Sequence, residues 1–227
     1  MVSSSKFFKE IRFLERTSST QDEVLSLPVP SFVFSRTQSS GRGRFQRKWF
    51  SPEGGVWFSF SVDVFHPADS PLLALPIVDF LVGSGLKAKV KLPNDVLVKG
   101  KKIAGILVER RDFFVIGVGM NYFNDVPPEI SHRAVSLKDL LELRCKEDLS
   151  LPHELALELA EKMMTVINKI EIDPEFEKVA FERLSEFVLK GTYSTRFGQV
   201  NIVGMDGKKV VFLKEGRVYK AKVNELF

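Results

Sequence analysis

The sequence predicts an α+β fold, a mixed and mostly antiparallel sheet with helices followed by a small β-barrel. Three observations predict it. Apolar runs with the two-residue period of strands are interleaved with runs of helical period as far as residue 188. Within that region Val96-Leu97-Val98, Lys99-Gly100-Lys101 and Lys102-Ile103-Ala104-Gly105-Ile106-Leu107-Val108-Glu109 read as strand, turn and strand of a hairpin. From Leu189-Lys190-Gly191 the character changes, and five short β-rich runs follow, broken by Gly191, Gly198, Gly204, Gly207 and Gly216. Mixed elements and then strands alone divide the chain into residues 1–188 and 189–227. The tail of roughly 40 residues is near the lower limit for folding by itself, so it is expected to pack on the main domain.

Taken in order, Ile11 to Leu14 reads as a short strand. Ser18-Ser19-Thr20 with Asp22 and Glu23 after them reads as a helix start. Its hydroxyls are either plain caps or, with the helix amides, face a ligand. Pro28 and Pro30 close that helix and Phe32-Val33-Phe34 is β-rich. After the turn Ser51-Pro52-Glu53-Gly54-Gly55, Val56, Phe58, Phe60 and Val62 alternate with Trp57, Ser59 and Ser61, the pattern of a half-buried strand. Pro71 to Val82 reads as an apolar helix, with Gly83 and Gly85 beyond its end. Ala88 to Leu92 is a strand that runs into Pro93-Asn94-Asp95, a turn signal. Phe113 to Val118 follows the hairpin as another strand. Gly105, Gly117 and Gly119 weaken their strands unless a ligand or a neighbouring strand comes close to the backbone. Ser136 to Leu143 is a short helix and Pro152 to Ile170 a longer one. Leu151, Leu155, Leu159, Met163, Ile167 and Ile170 form the core stripe of the longer helix. Pro174 starts a last helix, Glu175 to Phe187, and Asp206-Gly207 and Glu215-Gly216 are hairpin turns.

Composition narrows the function classes. The 227 residues are 44% hydrophobic and 27% charged, ordinary for a soluble globular protein. No apolar run approaches the roughly 20 residues needed to span a bilayer. The first ten residues carry charges where a signal peptide needs an apolar stretch, so a cytoplasmic location is expected. The single cysteine, Cys145, cannot form an internal disulfide and sits in no motif. A net charge of +4 suggests anionic ligands or acidic partners. With only about ten residues before the first strand, no helix-turn-helix precedes it, and no DNA partner is expected.

The chemistry concentrates in three polar clusters at strand ends. Gly41-Arg42-Gly43-Arg44-Phe45-Gln46-Arg47-Lys48-Trp49 holds four cations, two glycines and a tryptophan, and no acid. It reads as a clamp for a small anion such as a nucleotide phosphate, or as a solvated basic loop that touches nucleic acid. Asn94-Asp95 is the second cluster. Lys102, at the foot of the apolar run Ile103-Ala104-Gly105-Ile106, is either an edge charge or a cation facing a pocket. Several cations, one carboxylate able to hold Mg²⁺ or position an amine, and glycine-lined strands suit nucleotidyl transfer, where positioning and charge stabilisation dominate. Other chemistries fit poorly. His66, His132 and His153 show no metal-ligand spacing, and there is no Gly-x-Ser-x-Gly elbow, Walker loop or complete Gly-x-Gly-x-x-Gly turn.

Taken together these segments closely resemble those of biotin protein ligases. The matching pieces are Ser19-Thr20-Gln21; Gln38 leading to Gly41-Arg42-Gly43-Arg44 with Arg47 and Trp49; Lys91-Leu92-Pro93-Asn94-Asp95; Lys102 to Glu109; and Gly117-Val118-Gly119-Met120-Asn121. The resemblance runs from about residue 11 to the end, with Leu92 where the family usually has Trp. It implies a catalytic domain of class II synthetase type over 1–188 and an SH3-like barrel over 189–227, in a ligase-only form without the family's N-terminal DNA-binding domain. The implied reaction is ATP-dependent, with Mg²⁺, and AMP-forming. Biotin becomes biotinyl-5′-AMP and then passes to a lysine of a biotin carboxyl carrier protein, with no covalent enzyme intermediate.

Carried over by position, Ser19, Thr20 and Gln38 line the biotin ring, and Arg42, Gly43 and Arg44 close over biotin and phosphates. Arg47 and Trp49 order the loop around the adenylate. Lys102 bridges the biotin carbonyl and the α-phosphate, Asn94 and Asn121 meet the nucleotide, and Gly105 and Ile106 flank biotin. Asp95 orients Mg²⁺ or the incoming amine. Monomers and homodimers both occur among relatives. A lipoate ligase or octanoyl transferase of the same fold, or a non-catalytic nucleic-acid-binding module, are the alternative readings.

Overall fold

The computed structural model describes residues 5–142 and 151–227. Cys145 and Leu143 lie outside the described residues. The strands are β1 (Glu10–Thr17), β2 (Ser31–Gln38), β3 (Val56–Val62), β4 (Ala88–Lys91), β5 (Asp95–Val98), β6 (Lys101–Arg110), β7 (Phe114–Met120), β8 (Gly191–Thr195), β9 (Gly198–Asp206), β10 (Lys209–Lys214) and β11 (Arg217–Lys222). The α-helices are α1 (Thr20–Glu23), α2 (Leu75–Gly83), α3 (Leu137–Leu141), α4 (Pro152–Ile172), α5 (Pro174–Phe187) and α6 (Val223–Leu226).

Among the described residues β1 to β7 form one sheet in the order β1-β2-β3-β7-β6-β5-β4, and β8 to β11 form a second in the order β11-β10-β9-β8. Only β1 and β2 pair in parallel; the other adjacent pairs of the large sheet are antiparallel. The expected α+β class, a mixed and mostly antiparallel sheet with a small C-terminal β unit, is therefore what the chain adopts. The hairpin turns at Lys99-Gly100 and Glu215-Gly216 place both residues at positive φ, which matches the right-handed twist of the strands they join.

Alternation along each strand divides its residues between two faces. Phe32 and Phe34 on β2, Phe58 and Phe60 on β3, and Ile116 and Val118 on β7 point into the main core beneath α2, α4 and α5. Leu155, Leu159, Met163 and Ile167 of the α4 stripe complete that core, while Leu151, at the cap, is exposed. Asp173 caps α5 by accepting from the amides of Glu175 and Phe176.

The second face differs from expectation. The pattern of β3 predicts one wet side, yet all seven residues are buried. Trp57, Ser59 and Ser61 are covered by α1, the turn after it and the loop between β2 and β3. Their polar atoms are matched: Ser59 Oγ lies 2.8 Å from Thr20 Oγ1, Ser61 Oγ accepts from the Ser31 amide, and Trp57 Nε1 donates to the Pro52 carbonyl. Serines can be roofed because they are small and find partners locally. Val24, Leu27, Val33 and Val115 form a satellite apolar cluster on this side.

Where five β-rich runs are expected, the tail gives four strands and the short helix α6. Apolar packing continues from the large sheet into the tail through Tyr193, Val200, Ile202, Val210, Phe212, Val223 and Leu226. Lys208, in the β9–β10 turn, pairs with Glu177 on α5 and lies 3.3 Å from Asp69 in the 3₁₀ segment before α2.

Candidate active site

The roofed face of the sheet has a floor of missing side chains. Gly119 pairs with Trp57 on one side and Gly105 on the other, and Gly117 pairs with Ser59. The sequence leaves open what approaches these glycines. The structure shows that it is the chain's own side chains. A Cβ on Gly119 would lie 2.5 Å from the Trp49 ring, one on Gly117 2.7 Å from Gln21 Oε1, and one on Gly105 3.0 Å from Lys102 Nζ. Trp49 thus lies flat on the floor, edge-on to Trp57 with centroids 6.3 Å apart.

The basic loop is folded on itself. The Trp49 amide donates to the Gly41 carbonyl and the Gly43 amide to that of Arg47, both at 2.8 Å. Phe45 and Gln46 take left-handed φ at the tip. Arg42 turns inward. Its guanidinium donates to both carboxylate oxygens of Asp22 at 2.8 and 2.9 Å, to Glu109 Oε2 at 2.9 Å and to Ser19 Oγ at 3.2 Å. The hydrogen bonds that it donates to Asp22 and Glu109 push its pKa still higher, against the effect of burial. Arg44 donates to the main-chain oxygen of Phe227 at 2.7 Å. Burial lowers its pKa and neighbouring Arg47 adds to that, while Asp95 opposes both. Arg47 is exposed and lies over the Phe45 ring.

Beside the loop, Ser19 is the N-cap of α1 but makes no side-chain cap, its oxygen being used by Arg42. Gln38 at the end of β2 accepts from the Thr20 amide and hydroxyl and donates to Ser51 Oγ. Thr20 and Gln38 are therefore one polar knot, and Ser19 beside them is bound to Arg42, so the segment is more than a plain cap.

On the other side of Trp49, the Lys102 ammonium lies 2.6 Å from Asp95 Oδ1 and 4.7 Å from the Trp49 ring centroid. A cation over an aromatic face and against a carboxylate is the pocket-facing alternative for this lysine, not the edge alternative. Asn94 is taken up by the backbone: its Nδ2 donates to the Ile106 carbonyl at 2.7 Å and its carbonyl accepts from the Ile106 amide. Asn121 is buried, its Oδ1 accepts from Asn124 and its amide donates to the Ile103 carbonyl. Leu92 is 3% exposed within the main core, so its exchange for Trp alters packing and not charge. Tyr193 of the tail donates to the Leu189 carbonyl at 2.7 Å; burial pushes its phenol up to about 12, against the pull of the Leu92 backbone.

No group of three or more His, Cys, Asp or Glu able to hold a metal occurs among the described residues. Asp95, already joined to Lys102, can give one oxygen to Mg²⁺, which usually draws its remaining ligands from water and substrate phosphates.

The structure thus brings Ser19, Thr20, Gln38 and Arg42 together at one end, and Trp49, Asp95, Lys102 and Gly105 at the other. Asn94 and Asn121 support the backbone between them. Gln21, Asp22 and Glu109 were not singled out by sequence reasoning, although Gln21 and Glu109 lie inside matched segments. A first-turn acid and a strand-end acid look like solvated charges until the fold sets them on Arg42.

A lysine–carboxylate pair thus stands on the glycine floor of a mostly antiparallel sheet. Residues 12–121 match the model of the biotin/lipoate A/B protein ligase family. The relatives and solved structures that the chain resembles include biotin protein ligases. The bifunctional ligase/repressor BirA of Bacillus subtilis is 35% identical over 146 residues, 55% of this chain and 44% of the relative. The biotin–[acetyl-CoA-carboxylase] ligase of Paracoccus denitrificans is 34% identical over 129 residues, 48% of this chain and 52% of the relative. The similarity thus spans about half the length of these curated relatives. A biotin protein ligase from Aquifex aeolicus, solved in complex with biotin and ATP, superposes with a TM-score of 0.83 at 25% identity, over 97% of this chain and 98% of that one.

Proposed function

We propose that this protein activates biotin with ATP to biotinyl-5′-AMP and transfers the biotinyl group to a lysine of a biotin carboxyl carrier protein in the cytoplasm. The observation that carries this reading is the Lys102–Asp95 pair, 2.6 Å apart beside Trp49 on the glycine floor. The Aquifex relative, solved with biotin and ATP, supports the choice of substrates. In the first step a biotin carboxylate oxygen bonds to the α-phosphorus and pyrophosphate leaves with the electrons of the broken P–O bond. Lys102, held against Asp95, stabilises the charge that builds on the α-phosphoryl and carboxyl oxygens. In the second step an acceptor amine attacks the carbonyl carbon, loses a proton, and AMP leaves. Asp95 is the carboxylate that orients that amine. Asp95 would give one oxygen to Mg²⁺, which when bound would offset phosphate charge.

Ser19, Thr20, Gln38 and Gly105 surround biotin in this reading; the expected place of Ile106 beside biotin is corrected, because strand alternation turns its side chain into the main core on the opposite face from Gly105. Arg44, Arg47, Trp49, Asn94 and Asn121 surround the nucleotide, and Arg42 and Gly43 close the loop. Residues 1–188 form the ligase domain and 189–227 the SH3-like unit. The nucleic-acid module loses ground because two of the basic loop's four cations are committed inward, Arg42 to carboxylates and Arg44 to Phe227.

The test is exchange of labelled pyrophosphate into ATP with Mg²⁺ and no acceptor protein. Exchange that requires biotin is expected. Exchange with lipoate and not biotin would move the protein to the lipoate branch of its family.

A further inference from the structure

We infer that Gln21 selects the ligand: its side-chain oxygen accepts a hydrogen bond from a ring N–H of biotin, with its orientation fixed by Glu109 and Arg42. This rests on the function proposed above and names a residue that distinguishes biotin from lipoate.

Gln21 is 4% exposed. Its Nε2 donates to Glu109 Oε2 at 3.0 Å, and the same oxygen accepts from Arg42 at 2.9 Å. A carboxylate paired with a guanidinium only accepts, so the nitrogen of the amide must face Glu109 and the oxygen must face away. That oxygen lies over Gly117, and among the described residues it has no hydrogen-bond partner. A buried acceptor left unmatched is costly and calls for an explanation. Two residues along β7, over Gly119, the buried Trp49 Nε1 is a donor with no partner.

An unmatched acceptor and an unmatched donor thus stand over neighbouring glycines on one face of one strand. Their complement is a small, rigid group that carries both N–H and C=O. The cyclic urea of biotin has both; the dithiolane of lipoate has neither. Arg42 is in this arrangement a positioning residue: its two carboxylates hold it, and it holds Glu109. The glycines let Gln21 and Trp49 lie against the strand, where a Cβ on either glycine would displace them.

Gln21→Met keeps the length of the side chain and removes both amide groups. In pyrophosphate exchange its KM for biotin is expected to rise about 10-fold or more, with kcat within about 3-fold, because a site built to hydrogen-bond loses most when one partner is missing. Biotin methylated at each ureido nitrogen in turn supplies the second readout. For one of the two isomers, the penalty shown by the unmodified protein is expected to vanish in Gln21→Met. Glu109→Gln, which lets the Gln21 amide turn over, should also raise KM and leave kcat. A folded Gln21→Met protein with an unchanged biotin KM, or with both methylation penalties intact, overturns the inference. If that variant does not fold, an unchanged KM in Glu109→Gln does so. An unmodified protein that exchanges with lipoate and not with biotin overturns the functional reading, and the role of Gln21 falls with it.

Discussion

Lys102 concentrates the chemistry at a single atom. Its ammonium is shared between Asp95 and the face of Trp49, and its side chain is 30% exposed, so it anchors little of the core. Lys102→Ala is expected to lower biotin-dependent pyrophosphate exchange about 10²–10³-fold, the usual effect of removing one charge-stabilising donor. The thermal unfolding midpoint should move by only a few degrees; a near-normal exchange rate would remove Lys102 from the mechanism. Lys102 and Asp95 were legible in the sequence because a charge at the foot of an apolar strand stands out. Arg42 was legible as important but not in its engagement. Its acids, Asp22 and Glu109, lie 20 and 67 residues away, and spacing along the chain does not reveal which charges meet.

At the scale of elements, the large sheet works because its two faces are packed differently. The helix side is filled by Phe, Ile and Val; the loop side is floored by Gly and Ser and roofed by α1 and Trp49. Gly119→Ala sets a methyl 2.5 Å from the indole, which must then lift off the strand. The expected outcome is a loss of about 1–3 kcal/mol in urea unfolding, as for overpacking elsewhere, together with weaker biotin binding. Unaltered stability and binding would show that Trp49 does not rest there in solution. Strand positions and the α4 stripe were readable from periodicity alone. The burial of β3 on both sides was not, since a serine on a strand looks solvated whether or not a distant hydroxyl waits for it. The first helix was readable as a start signal. Its α-helical part is four residues long and continues as a 3₁₀ turn over Val24–Ser26.

Across the whole molecule, Lys208 fastens the tail to the body through Glu177 and the buried Asp69. Burial raises the pKa of Asp69, while Lys208, and more weakly His66, oppose it and Glu177 adds to it. Lys208→Ala removes the main opposition, so the folded state holds the Asp69 proton to higher pH than the unfolded chain does. Stability then falls as pH rises through that window. The deficit should be small near pH 4 and reach about 1–2 kcal/mol at pH 7, discounted for the partial exposure of Lys208. Urea unfolding at the two pH values checks this, and a deficit independent of pH would show that Lys208 acts through packing alone. The change of character at residue 189 was plain in the sequence. The way the tail joins the body was not, because the lysine and its two acids come from three separate elements.

The hydrogen bond from Arg44 to Phe227 joins residues 183 positions apart. On a ribosome, the basic loop emerges early and the large sheet can assemble while the tail is still being made. This anchor of the loop forms only when Phe227 has cleared the exit and α6 has docked. A nascent chain would therefore hold a folded sheet with the Arg44 side of its loop untethered until a residue made 183 positions later secures it.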